Sequence, residues 1–331
     1  MDRSTGKTFS MIAAAFICLF IAVPPSLAGT GGLNDSSVVV MFWNLENFFD
    51  FKDEGGGESD REFSPSGTRH WTAGRFYAKC RAVAKSVLWI AGRYGKLPDI
   101  IGLAEVENRS VLTRLLSSTS LRKCGYEIIH RDSPDHRGID VALLWRKTTM
   151  SLTDCGFRRI DSLDTREILY ARMKPLKGSA DISFAVNHFP SKYGGSETGA
   201  KRKTVAENLR QLCDSLLGAG TDRVIAMGDF NDESSSPAFD PLRNVLFNAE
   251  ATLSGPPPGT IRFDGRWAQI DMFWSTSAFT ETEKLETVRI PFLMTRDNVF
   301  SGDKPLRTYS GPKYLGGVSD HCPILLNTDA L

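Results

Sequence analysis

Short apolar runs rich in β-branched and aromatic residues recur along the chain, each bounded by Gly, Pro, Asp or Asn. The clearest are Val38–Asn44, Asp99–Val106, Tyr126–Arg131, Asp140–Arg146, Ile168–Met173, Ile182–Phe189, Arg223–Asp229, Gln269–Ser275 and Cys322–Leu326. Many are apolar at consecutive positions, the pattern of strands covered on both faces. Between them lie stretches of helical period. Thr72–Arg93 sets Phe76, Cys80, Val83, Val87 and Ile90 on one stripe, and Gly199–Leu217 does the same with Val205, Leu209, Leu212 and Leu216. A shorter helix is predicted after Asn108. This alternation implies layered α and β structure, and the excess of strands predicts two packed sheets with helices outside. Two segments lack periodicity: Lys52–Thr72, with Gly55-Gly56-Gly57, and Pro291–Gly317. Strand-like runs resume on both sides of each, so neither reads as a domain linker. Long loops inside a compact domain are more often binding loops or lids.

The first residues follow a different rule. Arg3 and Lys7 precede an apolar stretch from Phe9 to Val23, too short for a comfortable membrane span and ended by Pro24-Pro25. Ser26-Leu27-Ala28 then offers small residues where a signal peptidase reads. The expectation is a signal peptide over 1–28 and a single domain over 29–331, exported to the periplasm or the medium. An uncleaved N-terminal anchor is the alternative. Cys18 sits mid-run behind Phe16 and Ile17, which argues against a lipoprotein.

Cleavage there takes Arg3, Lys7 and Asp2 from 40 basic and 39 acidic residues, leaving 38 of each. No global field would steer such a protein to polyanions, so any nucleic acid must be held by a local basic groove. The remaining cysteines, Cys80, Cys124, Cys155, Cys213 and Cys322, are odd in number and show no CxxC spacing. That argues against a zinc site and a dense disulfide framework while leaving one or two bridges open.

Acids, amides and histidines gather at the ends of the predicted strands. Asn44 and Glu46 close the first run, Glu105 the second, and Asn187-His188 the run Phe-Ala-Val-Asn-His. Asp229 and Asn231 follow Val-Ile-Ala-Met-Gly, Asp271 lies in Gln-Ile-Asp-Met-Phe, and Asp320-His321 precede the last run. Singly, each is an ordinary turn residue. As an ordered set, from Phe42-Trp43-Asn44 through Gly228-Asp229-Phe230-Asn231 to Ser319-Asp320-His321-Cys322-Pro323, the chain resembles the endonuclease/exonuclease/phosphatase family. That family includes pancreatic-type deoxyribonucleases, abasic-site endonucleases, sphingomyelinases and inositol-polyphosphate phosphatases. The resemblance implies a four-layered α/β sandwich, two packed mixed β-sheets flanked by helices.

The resemblance also implies roles. Phosphodiester cleavage needs charge neutralisation on the nonbridging oxygens, an activated water and help for the leaving alkoxide. Glu105 would be the principal metal ligand, with Asn44, Glu46 and Asp320 around the same ion or a second one. Hard oxygen donors suit Mg²⁺ or Mn²⁺, with Ca²⁺ as a supporting ion. His321 would act as general base, Asp271 would hold its other ring nitrogen, and Asp229 and Asn231 would orient the water and bind the pentacovalent phosphorane. His188 would donate to the phosphate, with Asp140 as its partner or else as a solvated residue at a strand start. Lys192, Arg202 and Arg307 are the expected phosphate contacts; a solvated helix start is the plainer reading of Arg202-Lys203.

The leading expectation is an exported, metal-dependent endonuclease with nucleic acid as substrate, monomeric and without a stable protein partner. It rests on Asn187-His188-Phe189-Pro190-Ser191-Lys192, which looks like the corresponding stretch of exported bacterial nucleases in the family. One rival is a phosphatase or phosphodiesterase acting on lipid headgroups or inositol phosphates, aided by exposed aromatics among Phe292, Phe300, Tyr309 and Tyr314. A catalytically inactive binding module is the other.

Overall fold

The computed structural model describes residues 37–55, 58–192 and 197–329. The expected signal peptide over 1–28 lies outside the described residues. Among those described, no helix is long and apolar enough to cross a membrane.

In chain order the strands of the first half are β1 (Ser37–Phe48), β2 (Ile100–Val106), β3 (Tyr126–His130), β4 (Asp140–Arg146), β5 (Met150–Arg158), β6 (Ile168–Pro175), β7 (Ile182–His188) and β8 (Arg223–Asp229). They continue as β9 (Phe247–Asn248), β10 (Ile261–Phe263), β11 (Arg266–Ala268), β12 (Asp271–Ser275), β13 (Leu285–Thr287), β14 (Met294–Arg296), β15 (Asp303–Pro305), β16 (Tyr309–Ser310), β17 (Lys313–Tyr314) and β18 (Ile324–Asp329). The helices are α1 (Glu58–Glu62), α2 (Ala73–Tyr94), α3 (Arg109–Ser118), α4 (Glu197–Gly218) and α5 (Asp240–Arg243). One six-stranded sheet runs β13-β18-β1-β2-β4-β3 and the other β5-β6-β7-β8-β12-β9, each mixing parallel and antiparallel pairs.

Alternation along the strands builds the layers. On β1, Val38, Val40 and Phe42 point into the apolar layer between the sheets, while Val39, Met41 and Trp43 point to α2 and α3. On β8, Ile225 and Met227 face the middle, and Val224 and Ala226 face α4. Consecutive apolar runs are therefore covered on both faces. Where the sheets meet, Gly102 leaves no room for a side chain: a Cβ there would lie 2.8 Å from the Met227 sulfur. The result is the expected α/β/β/α sandwich.

The predicted helices form with their stripes buried, and the caps are those the sequence suggests. Thr72 Oγ1 accepts from Arg75 N–H, and Asn108 Oδ1 accepts from Val111 N–H. All five cysteines among the described residues are free thiols, so neither of the bridges left open is made. The two aperiodic segments fold against each other. Tyr309 is buried, with its hydroxyl donating to Arg69 O and its ring against Phe63 and Trp71. Tyr314 is half-buried under Arg75, and Phe292 is partly buried under Lys85. Of the four aromatics expected to be exposed there, only Phe300 is.

Candidate active site

Strand ends from both sheets converge on one cleft. Asn44 ends the regular part of β1, and its Nδ2 donates to Asp229 Oδ2 on β8 at 3.0 Å and to Glu105 Oε1 on β2 at 3.4 Å. Its own Oδ1 accepts from Glu46 N–H, while Glu105 Oε2 accepts from Asn47 N–H. Glu46, Asn47, Glu105 and Asn231 all carry positive φ, between 46° and 60°. Such backbone costs on the order of 1–3 kcal/mol per residue and persists where the surroundings over-determine it, as at functional sites.

The second sheet supplies a dry proton-handling group. Asp229 and Asp271 are register partners on β8 and β12. Asp271 Oδ2 lies 2.8 Å from His321 Nδ1, and Asp229 Oδ2 lies 3.8 Å from His321 Nε2. The turn carrying His321 is pinned to β1: Ser319 Oγ donates to Asn44 O and accepts from His321 N–H, and Trp43 Nε1 donates to His321 O. Burial alone would push the imidazole down, but Asp271 and Asp229 outweigh it and hold its pKa well above the ordinary value. Burial, reinforced by Asp271, carries Asp229 up to about 7 against the pull of His321. Asp229, Asp271 and His321 are close enough to enclose an ion. All three are buried, and His321 is hydrogen-bonded to Asp271.

His188 ends β7 with Nε2 3.6 Å from Asp229 Oδ2 and 4.0 Å from Glu105 Oε1. Its partner is not Asp140. Asp140 accepts from Ser133 N–H and Oγ and lies 3.9 Å from His130, so it is engaged at the start of β4. Arg166 takes the partner's place: its guanidinium is buried, 3.3 Å from His188 Nε2 and 3.2 Å from Asp135 Oδ2. Burial and Arg166 hold His188 well below its ordinary pKa, so the ring is neutral and Nε2 accepts. As drawn, His188 does not donate through Nε2. Arg166 escaped the sequence reading because it precedes a strand rather than ending one.

Two expected phosphate contacts are occupied within the protein. Arg202 is buried, with its guanidinium on Asp232 and near Pro190 O, and Lys192 is paired with the same Asp232. They brace the Gly-Asp-Phe-Asn turn, which Asn231 also ties to Phe189 O. Arg307, in the loop before Thr308, is bound to both Glu46 and Asp320. Burial, aided by Asp320, raises Glu46 to about 7 despite Arg307. Beneath it the buried ammonium of Lys79 donates to Glu46 O and Thr308 Oγ1.

Glu105 and Asp320 are the carboxylates of the cleft that solvent reaches, with side chains 14% and 27% exposed. With the Asn44 amide beside Glu105, this is an oxygen donor set without sulfur, which fits a hard divalent cation. Glu46 does not fit that role, since its oxygens are held by Arg307 and Thr308 N–H.

Comparison with known proteins bears on the family and the fold. The family model described as Endonuclease/Exonuclease/phosphatase family matches residues 39–329. No curated protein matches the chain in sequence. Among solved structures, a family protein from Bacteroides thetaiotaomicron is 15% identical with a TM-score of 0.56, covering 89% of this chain and 95% of its own. A mannosyl-6-phosphatase from the same organism is 17% identical with a TM-score of 0.55, covering 88% and 98%. D. rerio TDP2 complexed with single strand DNA product is 13% identical with a TM-score of 0.53, covering 88% and 99%. At these identities the likeness is one of fold.

Proposed function

The chain belongs to the endonuclease/exonuclease/phosphatase family, and from that premise we propose that it is an exported, divalent-metal-dependent phosphodiesterase that cleaves nucleic acid, with residues 29–331 as one catalytic domain behind a cleaved signal peptide. Phosphoester hydrolysis is the chemistry of the family; the substrate and the export are our reading.

The observation that carries the reading is the meeting of two unlike groups across one cleft. Glu105 and Asp320, with Asn44, form the side that would hold Mg²⁺ or Mn²⁺. When bound, such an ion neutralises phosphoryl charge and acidifies a water. Opposite lie Asp229, Asp271 and His321. The attacking water gives its proton to Asp229, beside the His321 imidazolium that Asp271 stabilises. Asn231 N–H donates to Asp229 Oδ1 and keeps that carboxylate aimed. Arg166, buried between His188 and Asp135, positions the His188 ring beside Asp229.

Support for nucleic acid comes from the Asn187–Lys192 stretch and from a structural neighbour whose complex contains a DNA product. The neighbouring mannosyl-6-phosphatase marks the competing outcome, a phosphomonoester. Purified protein, with Mg²⁺, Mn²⁺ and Ca²⁺ in turn, should be assayed on plasmid DNA, RNA, a sugar phosphate and sphingomyelin. Nicked plasmid or degraded RNA is expected. Intact nucleic acid with turnover of a headgroup or sugar ester would reassign the substrate and leave the site assignments standing.

A further inference from the structure

Glu46 is the residue whose placement departs furthest from the role the family implies. It follows Asn44 by two positions, where a metal ligand was expected, yet both its oxygens face protein donors. Oε1 accepts from Arg307 Nε at 2.8 Å and Nη2 at 2.7 Å, and Oε2 accepts from Thr308 N–H at 2.8 Å. The same Arg307 Nη2 lies 3.0 Å from Asp320 Oδ2. One guanidinium therefore ties together two carboxylates that a second ion would have to bridge.

The clamp is built from below. Glu46 is buried and held in left-handed backbone at φ 46°. Its carbonyl takes Lys79 Nζ at 2.6 Å, and that ammonium also holds Thr308 Oγ1 at 2.9 Å. Glu46 and the residue following Arg307 are thus fastened to one buried lysine. An ion entering between Glu46 and Asp320 would displace a charge-assisted hydrogen-bond set and meet the Lys79 charge in a poorly solvated place.

Resting on the reading that Glu105 and Asp320 hold the catalytic ion, we propose that Arg307 is the second cation of this centre, so that the enzyme works with one metal ion and Glu46 serves to position the guanidinium. A guanidinium is always charged and its donors are fixed in a plane, which suits it to neutralise phosphoryl oxygens. It cannot acidify a water, so water activation stays with the single ion and the His321–Asp229 pair. Arg307 Nη1 has no protein partner among the described residues, and Arg307 lines a cleft of about 130 Å³ together with Asn47, Arg69 and Tyr309.

Mn²⁺ titration of the whole protein, followed by electron paramagnetic resonance, counts bound ions and detects the magnetic coupling of two ions about 4 Å apart. The wild type should bind one Mn²⁺ that Glu105→Gln removes, with no coupled signal. Arg307→Ala should gain a second Mn²⁺ and the coupled signal, and adding Glu46→Gln should abolish both gains. Glu46→Gln alone should leave the first ion bound as in the wild type. A coupled pair in the wild type, or an Arg307→Ala protein that stays at one ion, overturns the proposal. So does a Glu46→Gln protein that loses Mn²⁺ as Glu105→Gln does, a result independent of how the Arg307 variant folds. Mn²⁺ binding that survives Glu105→Gln removes the underlying metal assignment, and the proposal with it.

Discussion

The two sheets end in the same cleft but deliver carboxylates of opposite character. From the first sheet come Glu105 and, from the turn before β18, Asp320, both reached by solvent. From the second come Asp229 and Asp271, with side chains 2% and 1% exposed and joined through His321. Burial opposes ionisation, and it carries Asp229 up to about 7. The oxygens that solvent reaches stay open to an ion. One residue type thus stands in two unlike surroundings, and the depth of the strand end decides which.

The comparison breaks most visibly if the wet side is emptied. Glu105→Gln removes one ligand charge and should abolish activity while leaving circular dichroism and thermal unfolding unchanged, since Glu105 lines the cleft. Chelation should do the same to the wild type, and Mg²⁺ or Mn²⁺ should restore it. Full turnover in chelator would sink the assignment of the wet side.

Damage to the dry side should be graded. His321→Ala is expected to lower kcat by roughly two to four orders of magnitude with little change in KM, the usual worth of acid–base catalysis. Asp271→Asn should act in the same direction. A His321→Ala enzyme near wild-type turnover, alongside an inactive Asp229→Asn enzyme, would show that Asp229 works without the imidazolium.

Between the two sides stands His188, 4.0 Å from Glu105 and 3.6 Å from Asp229, with Arg166 against its Nε2. Arg166→Met should cost about 10- to 100-fold in kcat/KM, the scale of residues that orient a metal site's ligands. Combined with His188→Asn, the losses should be less than additive because the two groups share one hydrogen bond. Full additivity in that cycle would separate them.

Much of this was legible in the sequence, for physical reasons. The ends and starts of strands put side chains into a cleft, so Asn44, Glu105, His188, Asp229, Asp271 and His321 stood out by position, and their order along the chain carried the resemblance that implied their roles. The helix over Ala73–Tyr94 was marked by its stripe and by Thr72. The strand Met150–Arg158 was not, because it is an edge strand with mostly exposed or half-exposed positions and little apolar alternation. Charge pairs were illegible too. Nothing in the spacing says that Arg202 and Lys192 would meet at Asp232, or that Arg307 would reach Glu46 across more than half the chain.

The smallest effect expected on activity concerns Asp140, a buried carboxylate that resembles the dry side yet lies outside it. It was a sequence candidate for the partner of His188, but its hydrogen bonds go to Ser133. Asp140→Asn keeps an oxygen for those donors and should leave kcat/KM unchanged; a large loss would return Asp140 to the catalytic set. Stability should respond instead. Burial raises Asp140 to about 7 from an ordinary 3.8. Between those values the folded state binds the proton more tightly than the unfolded chain, so this group's contribution is complete below about pH 4 and is lost as pH rises through 7. Neighbouring His130 runs the other way: burial lowers it from 6.5 to about 4, so its contribution is present above 6.5 and lost as pH falls through 4. Asp140→Asn removes only the first slope. The melting temperature of the variant minus that of the wild type should therefore grow between pH 5 and pH 8. A difference that stays constant across that range would show that Asp140 is already ionised in the fold, with His130 or a bound cation balancing its charge.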